Sequence, residues 1–235
     1  MNQKNNYWIL AGGIVLASII FGIFFYSARN TAQTIRVVGY SNQEFEADIV
    51  KWSFSFSAMT PLNGQKQGYA EMSQKLETIK TILNSLNIIL DEINIQPISI
   101  RKQYGQYGKI EGFILSQSIY VITKELEKIE KITVNPKEFA QKNIALESSN
   151  LEYFSTKLPS IKKKLLGAAT KDALTRASEI ANSAAAKIDQ IQSARAGVFQ
   201  ITEPYTTEVS SYGMYQTSTR KKNIKVTVSA VFSIK

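Results

Sequence analysis

Apolar and polar positions along this chain follow three rhythms. Tyr7–Tyr26 is apolar all round and carries no charge. Ile49–Met59 alternates, with Val50, Trp52, Phe54 and Phe56 on one face and Lys51, Ser53, Ser55 and Ser57 on the other. That period of two predicts a half-buried strand. Between Gln65 and Leu86 the apolar positions Met72, Leu76, Ile79, Leu83 and Leu86 recur at spacings of four and three. One stripe of that kind predicts a helix packed on a sheet.

The remaining segments sort by the same rhythms. Ile35–Tyr40 is β-branched and predicts a strand, with Gly39 ending it or making a bulge. Ser41–Ala47 is expected as a polar connection, and Pro61, Asn63 and Gly64 break the alternating strand. Glu92–Tyr104 alternates again, but Pro97 shifts the pattern and predicts an edge or a bulge. Gly105–Gly108 turns the chain into the returning strand Lys109–Thr123. Glu125–Val134 is expected as a short helix with Leu126, Ile129 and Ile132 inward, broken at Asn135-Pro136; Lys137–Leu146 reads equally as helix or loop.

Asn150–Thr156 predicts a strand and Pro159–Ile188 the longest helix of the domain, with proline at the entry. Ala169, Ala173, Ala177, Ala181 and Ala184 give that helix a narrow small-residue face, suited to close approach to a sheet or to a second helix. Gln190–Ile201 and Lys222–Ile234 predict the last strands. Between them Thr202–Lys221 is a loop rich in Ser, Thr and Tyr, longer than compact domains carry without a reason. Tyr205, Tyr212, Met214 and Tyr215 make it a candidate contact surface.

The order strand-helix-strand-strand occurs from Ile49 to Thr123 and again from Asn150 to Ile234, without residue identity between the copies. The expected fold class is α+β: an N-terminal transmembrane helix, then antiparallel sheet covered by two long helices in a topological repeat. The expected division is a cytoplasmic tail (1–6), an anchor (7–26), a tether (27–34) and a domain (35–235) with halves of about 35–134 and 150–235.

The apolar run has the length that spans a hydrocarbon core. Lys4 and Arg29 are the nearest charges, and Tyr7, Trp8 and Tyr26 stand at its ends, where amphipathic rings favour the interface. A cleaved signal peptide is the alternative, but it wants a small-x-small site, and cleavage after Ala28 would place Tyr26 there. Lys4 before the span and Arg29 and Arg36 after it nearly tie the positive-inside count. The short N-terminal tail favours the N-terminus inside and the domain outside the cytoplasm.

Composition narrows the chemistry. Hydrophobic residues make up 44% of the 235, so a core can form. There is no cysteine and no histidine. This excludes disulfides, thiolate sites and Ser-His-Asp or Cys-His hydrolases, and removes the usual zinc ligands. No metal or other cofactor is expected. Net charge is +9. Ile35–Val134 balances 11 basic against 11 acidic residues, whereas Leu151–Lys235 has 13 against 6. The basic runs Lys162-Lys163-Lys164 and Arg220-Lys221-Lys222 are candidate anion contacts, on membrane lipid or another envelope ligand rather than on nucleic acid. Asp91-Glu92 and Glu44/Glu46/Asp48 are the acidic clusters near predicted strand ends and the only candidates for a carboxylate enzyme, the least favoured alternative.

Four stretches resemble the SIMPL-domain family of bacterial exported and periplasmic proteins. IRVVGYSNQEFEADIVKWSFSFSA (Ile35–Ala58) is similar to its opening strands, with Ala47-Asp48 where Pro-Asp is usual. INIQPISIRKQY and KIEGFILSQSIYVIT are similar to its middle hairpin with the Gly112-Phe113 pair. AATKDALTRASEIA (Ala168–Ala181) matches its spaced-alanine helix, and NIKVTVSAVFSI its closing strand. The opening has fewer glycines than usual, and Ala186-Lys187-Ile188 stands where a glycine usually ends the helix. The family has no agreed catalytic residues. The resemblance implies a single-pass inner-membrane protein with its domain in the periplasm, or a cleaved and soluble one. It also implies a homo-oligomer and a link to envelope or oxidative stress tolerance, while the anchor, the absent histidine and cysteine and the Tyr-rich loop favour a non-enzymatic, self-associating domain.

Overall fold

A computed structural model describes residues 3–29 and 33–235. The apolar run lies in helix α1, Gln3–Arg29. The expected tether is therefore helical through Arg29, with 30–32 outside the described residues, as are Met1 and Asn2 of the expected tail. Strand β1 then covers Thr34–Glu46 and β2 Ile49–Pro61. Helix α2 is Gln65–Ser85, and the hairpin segments are β3 (Ile93–Ile95), β4 (Ser99–Tyr104) and β5 (Ile110–Thr123). Helices α3 (Leu126–Val134) and α4 (Lys137–Ala140) lead to β6, Glu147–Phe154. Helix α5 is Leu158–Ser183, followed by β7 (Ile188–Ala196), β8 (Gln200–Thr202), β9 (Met214–Tyr215) and β10 (Lys221–Ile234).

The fold is α+β, as expected, and the strands form two sheets. One has the order β3-β5-β2-β6, with β4 also on β5; the other has the order β1-β10-β8-β9, with β7 also on β10. The pairings are antiparallel except for the short β8–β9 match, which is parallel. The repeated element order is present, but β6 pairs with β2 of the first copy. Two cross-strand matches favour that place. Lys51 Nζ meets the Glu152 carboxylate at 3.0 Å, and Trp52 Nε1 donates to Ser149 Oγ at 2.9 Å.

The chain forms two compact units. The larger comprises Ser41–Gly167 and Val198–Val226. Its core grows from the alternation of β2: Val50, Trp52, Phe54, Phe56 and Ala58 are all buried. Met72, Ile79, Ile82 and Leu83 of α2 cover them, with Leu126, Ile129 and Ile132 of α3. Phe139 of α4 sets its ring edgewise to Trp52 and Phe54, 6.0 and 6.2 Å between centroids. The segment left open as helix or loop is thus one helical turn that plants an aromatic plug. Pro97 falls between β3 and β4, both on the outer side of β5, so the missing donor interrupts only an edge.

The smaller unit comprises Met1–Tyr40, Ala168–Gly197 and Thr227–Lys235. Its interior is built from Val37, Ala173, Ala177, Ala230 and Phe232. Gly39 does not end β1. A Cβ there would lie 2.1 Å from the Ala169 carbonyl oxygen and 2.8 Å from Ala173 Cβ, so the glycine makes room for the helix backbone. The Tyr40 N–H then donates to the Asp172 carboxylate at 2.7 Å, which with Arg176 holds that carboxyl below its ordinary pKa. The expected connection Ser41–Ala47 is strand through Glu46, because its polar residues alternate as strand residues do. The expected strand Gln190–Ile201 is divided, with Gly197 between β7 and β8.

Candidate functional site

The loop 202–221 has no apolar rhythm, so side chains must supply what a ladder would. Gln200, a buried residue of β8, does so from both ends of its amide. Its Nε2 donates to the Ser210 carbonyl at 2.6 Å and its Oε1 accepts the Ser210 N–H at 3.2 Å. Lys225 Nζ reaches the Thr206 carbonyl at 3.3 Å. Beyond Gly213, whose φ of +88° suits a residue without Cβ, the loop is stitched to its surroundings. Met214 and Tyr215 pair with Gln200 and Ile201, and the Tyr153 N–H donates to the Thr217 carbonyl at 2.7 Å.

These bonds divide the four candidate contact residues. Met214 is half-buried. Tyr215 sets its ring edge to Phe154 at 6.1 Å, and burial raises its hydroxyl pKa. Tyr205 and Tyr212 are 98% and 95% exposed, with Val209 exposed between them. Tyr205 also has a positive φ of 62°. A loop fixed at its base therefore holds two tyrosines fully in solvent. The composition pointed to this loop, but the clamp at Gln200 was legible only as one polar residue at the end of a predicted strand.

The basic candidates separate in the same way. Lys222 points inward on β10, is 0% exposed and donates to the Gln216 carbonyl at 2.6 Å; burial pushes its pKa down to about 8. It does not reach the surface. Arg220 faces Glu130, Glu46 and Glu127 at 3.6, 3.9 and 3.9 Å, so its charge is already answered. The Tyr153 hydroxyl donates to Glu130 Oε1 at 2.9 Å, and burial, with the Glu130 carboxylate beside it, pushes the phenol up to about 12. Lys221 is exposed at 4.0 Å from Glu46. Lys162 stands over the Phe199 ring at 5.2 Å, while Lys163 and Lys164 are exposed.

Two of the acidic candidates, Asp48 and Glu92, are occupied by local structure. Asp48 accepts from the Thr156 N–H at 2.8 Å and from its hydroxyl at 2.5 Å. Burial alone would raise its pKa, and the two Thr156 bonds outweigh that and lower it. Glu92 accepts the Ile89 N–H at 3.2 Å, closing its own turn. Among the described residues no three carboxylates gather as metal ligands.

Helix α1 has 27 residues, about 40 Å at 1.5 Å per residue. Its window Leu10–Ser27 has a mean hydropathy of 2.1 and none of it is buried. Ser18 donates to the Ile14 carbonyl at 2.8 Å, so its hydroxyl needs no water. Trp8 and Tyr26 are exposed toward the two ends; the side chain of Tyr7 lies outside what the structure describes. By length and composition the helix suits a signal anchor or a signal peptide.

Two comparisons bear on the whole chain. The family model of SIMPL, described as a protein of unknown function (DUF541), matches residues 35–232. The curated proteins contain no match to the sequence.

Proposed function

The chain belongs to the SIMPL family through residues 35–232, and on that footing we propose that it is a non-enzymatic, membrane-tethered envelope domain that assembles with further copies of itself through residues 205–212. Helix α1 is the tether, with the domain on the periplasmic side of the inner membrane. Tolerance of envelope or oxidative stress is the role that such an assembly would serve.

One observation carries the proposal. Tyr205 and Tyr212 are almost wholly exposed on a loop whose base is bonded at Gln200, Lys222 and Lys225. Tyrosine offers a large amphipathic surface with few rotatable bonds, and aromatic residues dominate the energetics of interfaces. A loop ordered beforehand loses little further entropy when it is covered. The non-enzymatic reading is supported by the absence of His and Cys and by the local duties of Asp48 and Glu92.

Mass photometry of the full chain in detergent tests the assembly. Wild type should form a concentration-dependent multimer. Tyr205→Ser/Tyr212→Ser should weaken it by about a hundredfold or more, two truncated anchors being worth about 1.4 kcal/mol or more each. A chain that stays monomeric throughout, or a double variant that assembles as wild type does, rejects this surface. The mass of the mature N-terminus checks the tether, because loss of α1 would make the domain soluble.

A further inference from the structure

The smaller unit has a second polar feature, on the face of its sheet away from the alanine helix. Burial alternates along its strands. Val37 of β1 and Ala230 and Phe232 of β10 are buried among the alanines of α5. Their neighbours Arg36, Ser229 and Val231 therefore point to the opposite face. On β7, Arg195 stands across from Ser229 and Ser193 across from Val231. These side chains line one cavity of about 320 Å³.

The chemistry of that lining is one-sided. It offers two guanidinium groups and two hydroxyls, and no carboxylate lines it. Among the described residues neither Arg36 nor Arg195 forms an ion pair, whereas Arg176 and Arg220 both do. Two unanswered guanidiniums beside one cavity repel each other, and an anion between them removes the repulsion. Their planar forks match the oxygens of a phosphate in pairs, and serine hydroxyls complete such a shell.

Position adds a source. Arg36 follows the last residue of α1, Arg29, by seven residues. A chain of that length spans at most about 25 Å. If α1 is held in a bilayer, the cavity stays within reach of the headgroup layer, where anionic lipids carry phosphate.

We propose that Arg36, Arg195, Ser193 and Ser229 form a phosphate-binding site, filled by the headgroup of an anionic phospholipid or by a free phosphate group. The lipid source rests on the tether reading of α1; the site itself does not.

The test uses the full chain in nonionic detergent at about 50 mM salt. The probes in calorimetric titration are dihexanoyl phosphatidylglycerol, dihexanoyl phosphatidylcholine and inorganic phosphate. Phosphatidylglycerol is expected to bind, and more tightly than phosphatidylcholine. R36Q and R195Q should each weaken binding about tenfold, the order of one charge-assisted pair. R195K, which keeps the charge and loses the fork, should still weaken it severalfold. K163Q/K164Q removes two exposed charges elsewhere and should change binding less than about twofold. Equal dependence on both arginines with inorganic phosphate alone would assign the free anion as the source. Binding that K163Q/K164Q weakens as much as R36Q/R195Q overturns the site, as does the failure of every probe with correctly folded protein. A mature chain lacking α1 that still binds phosphate would remove the tether and leave the site standing. A retained α1 with no binding would do the reverse.

Discussion

The two units close their interiors by opposite means. The larger fills a space with volume, Trp52, Phe54, Phe56 and Phe139 being almost wholly buried against one another. The smaller removes the space. Ala169, Ala173, Ala177 and Ala181 present only methyl groups, and Gly39 presents none, so helix backbone and strand backbone meet. Where the interior is volume, taking atoms away should cost most. Where it is proximity, adding them should.

Trp52→Ala is the largest expected effect, about 4 kcal/mol of stability. It opens a cavity beside Phe54 and Phe139 and removes the bond that the indole N–H gives Ser149. Denaturant unfolding followed by two independent probes would measure it. A loss below about 1.5 kcal/mol would mean that α4 collapses into the gap, and the contrast between the units would weaken.

Gly39→Ala comes next. One added methyl would meet a carbonyl oxygen of α5 that cannot rotate away. The expected loss is about 3 kcal/mol, at the upper end for overpacking, because the obstacle is backbone. A neutral substitution would show that α5 is free to lift from β1, and the smaller unit would then resemble the larger.

Lys222 sharpens the comparison from the other side, as a cation inside the volume-filled unit. Its folded pKa is lowered from 10.5 to about 8 by burial. Between those values the unfolded chain binds more protons than the folded one, so stability rises with pH through this window. The penalty is full below about pH 8 and is gone above about pH 10.5. The Tyr153 hydroxyl does not oppose the trend there. Its folded pKa of about 12 keeps its contribution intact below pH 10. Lys222→Met should flatten the rise and be the more stable protein at pH 7. Thermal midpoints from pH 7 to 10 would show it; an unchanged slope would mean that another group titrates.

How far the sequence reveals this arrangement depends on what each interior is made of. The alternation from Val50 to Phe56 and the stripe from Met72 to Leu83 declare the larger core directly, because large apolar side chains carry the period. The alanine face is equally visible, but its partner is not. Nothing local distinguishes a glycine that ends a strand from Gly39, whose role is set by Ala169 and Ala173, far along the chain. The exchange of β6 into the first sheet is hidden for the same reason, since the matches that favour it, Lys51 with Glu152 and Trp52 with Ser149, lie far apart along the chain. At the loop, composition marked the tyrosines without sorting them. Tyr215, still 44% exposed, is partly covered by Phe154 and the β8 edge, and Tyr205 and Tyr212 are not. Lys222 was misplaced among surface cations because a basic run hides the strand alternation that turns its last member inward.

The smallest expected effect tests the comparison most finely. Ala177 is fully buried on α5 and Ala168 is exposed on the same helix. Glycine at either position costs about 1 kcal/mol through backbone freedom alone. The difference between Ala177→Gly and Ala168→Gly therefore isolates the buried methyl, expected at about 0.8 kcal/mol. Equal losses would mean that the methyl packs against nothing and the interior is not closed. A difference above about 2 kcal/mol would mean that a cavity persists there, as beside a truncated Trp52. Only a value near that of one methyl fits an interior made by bringing two backbones together.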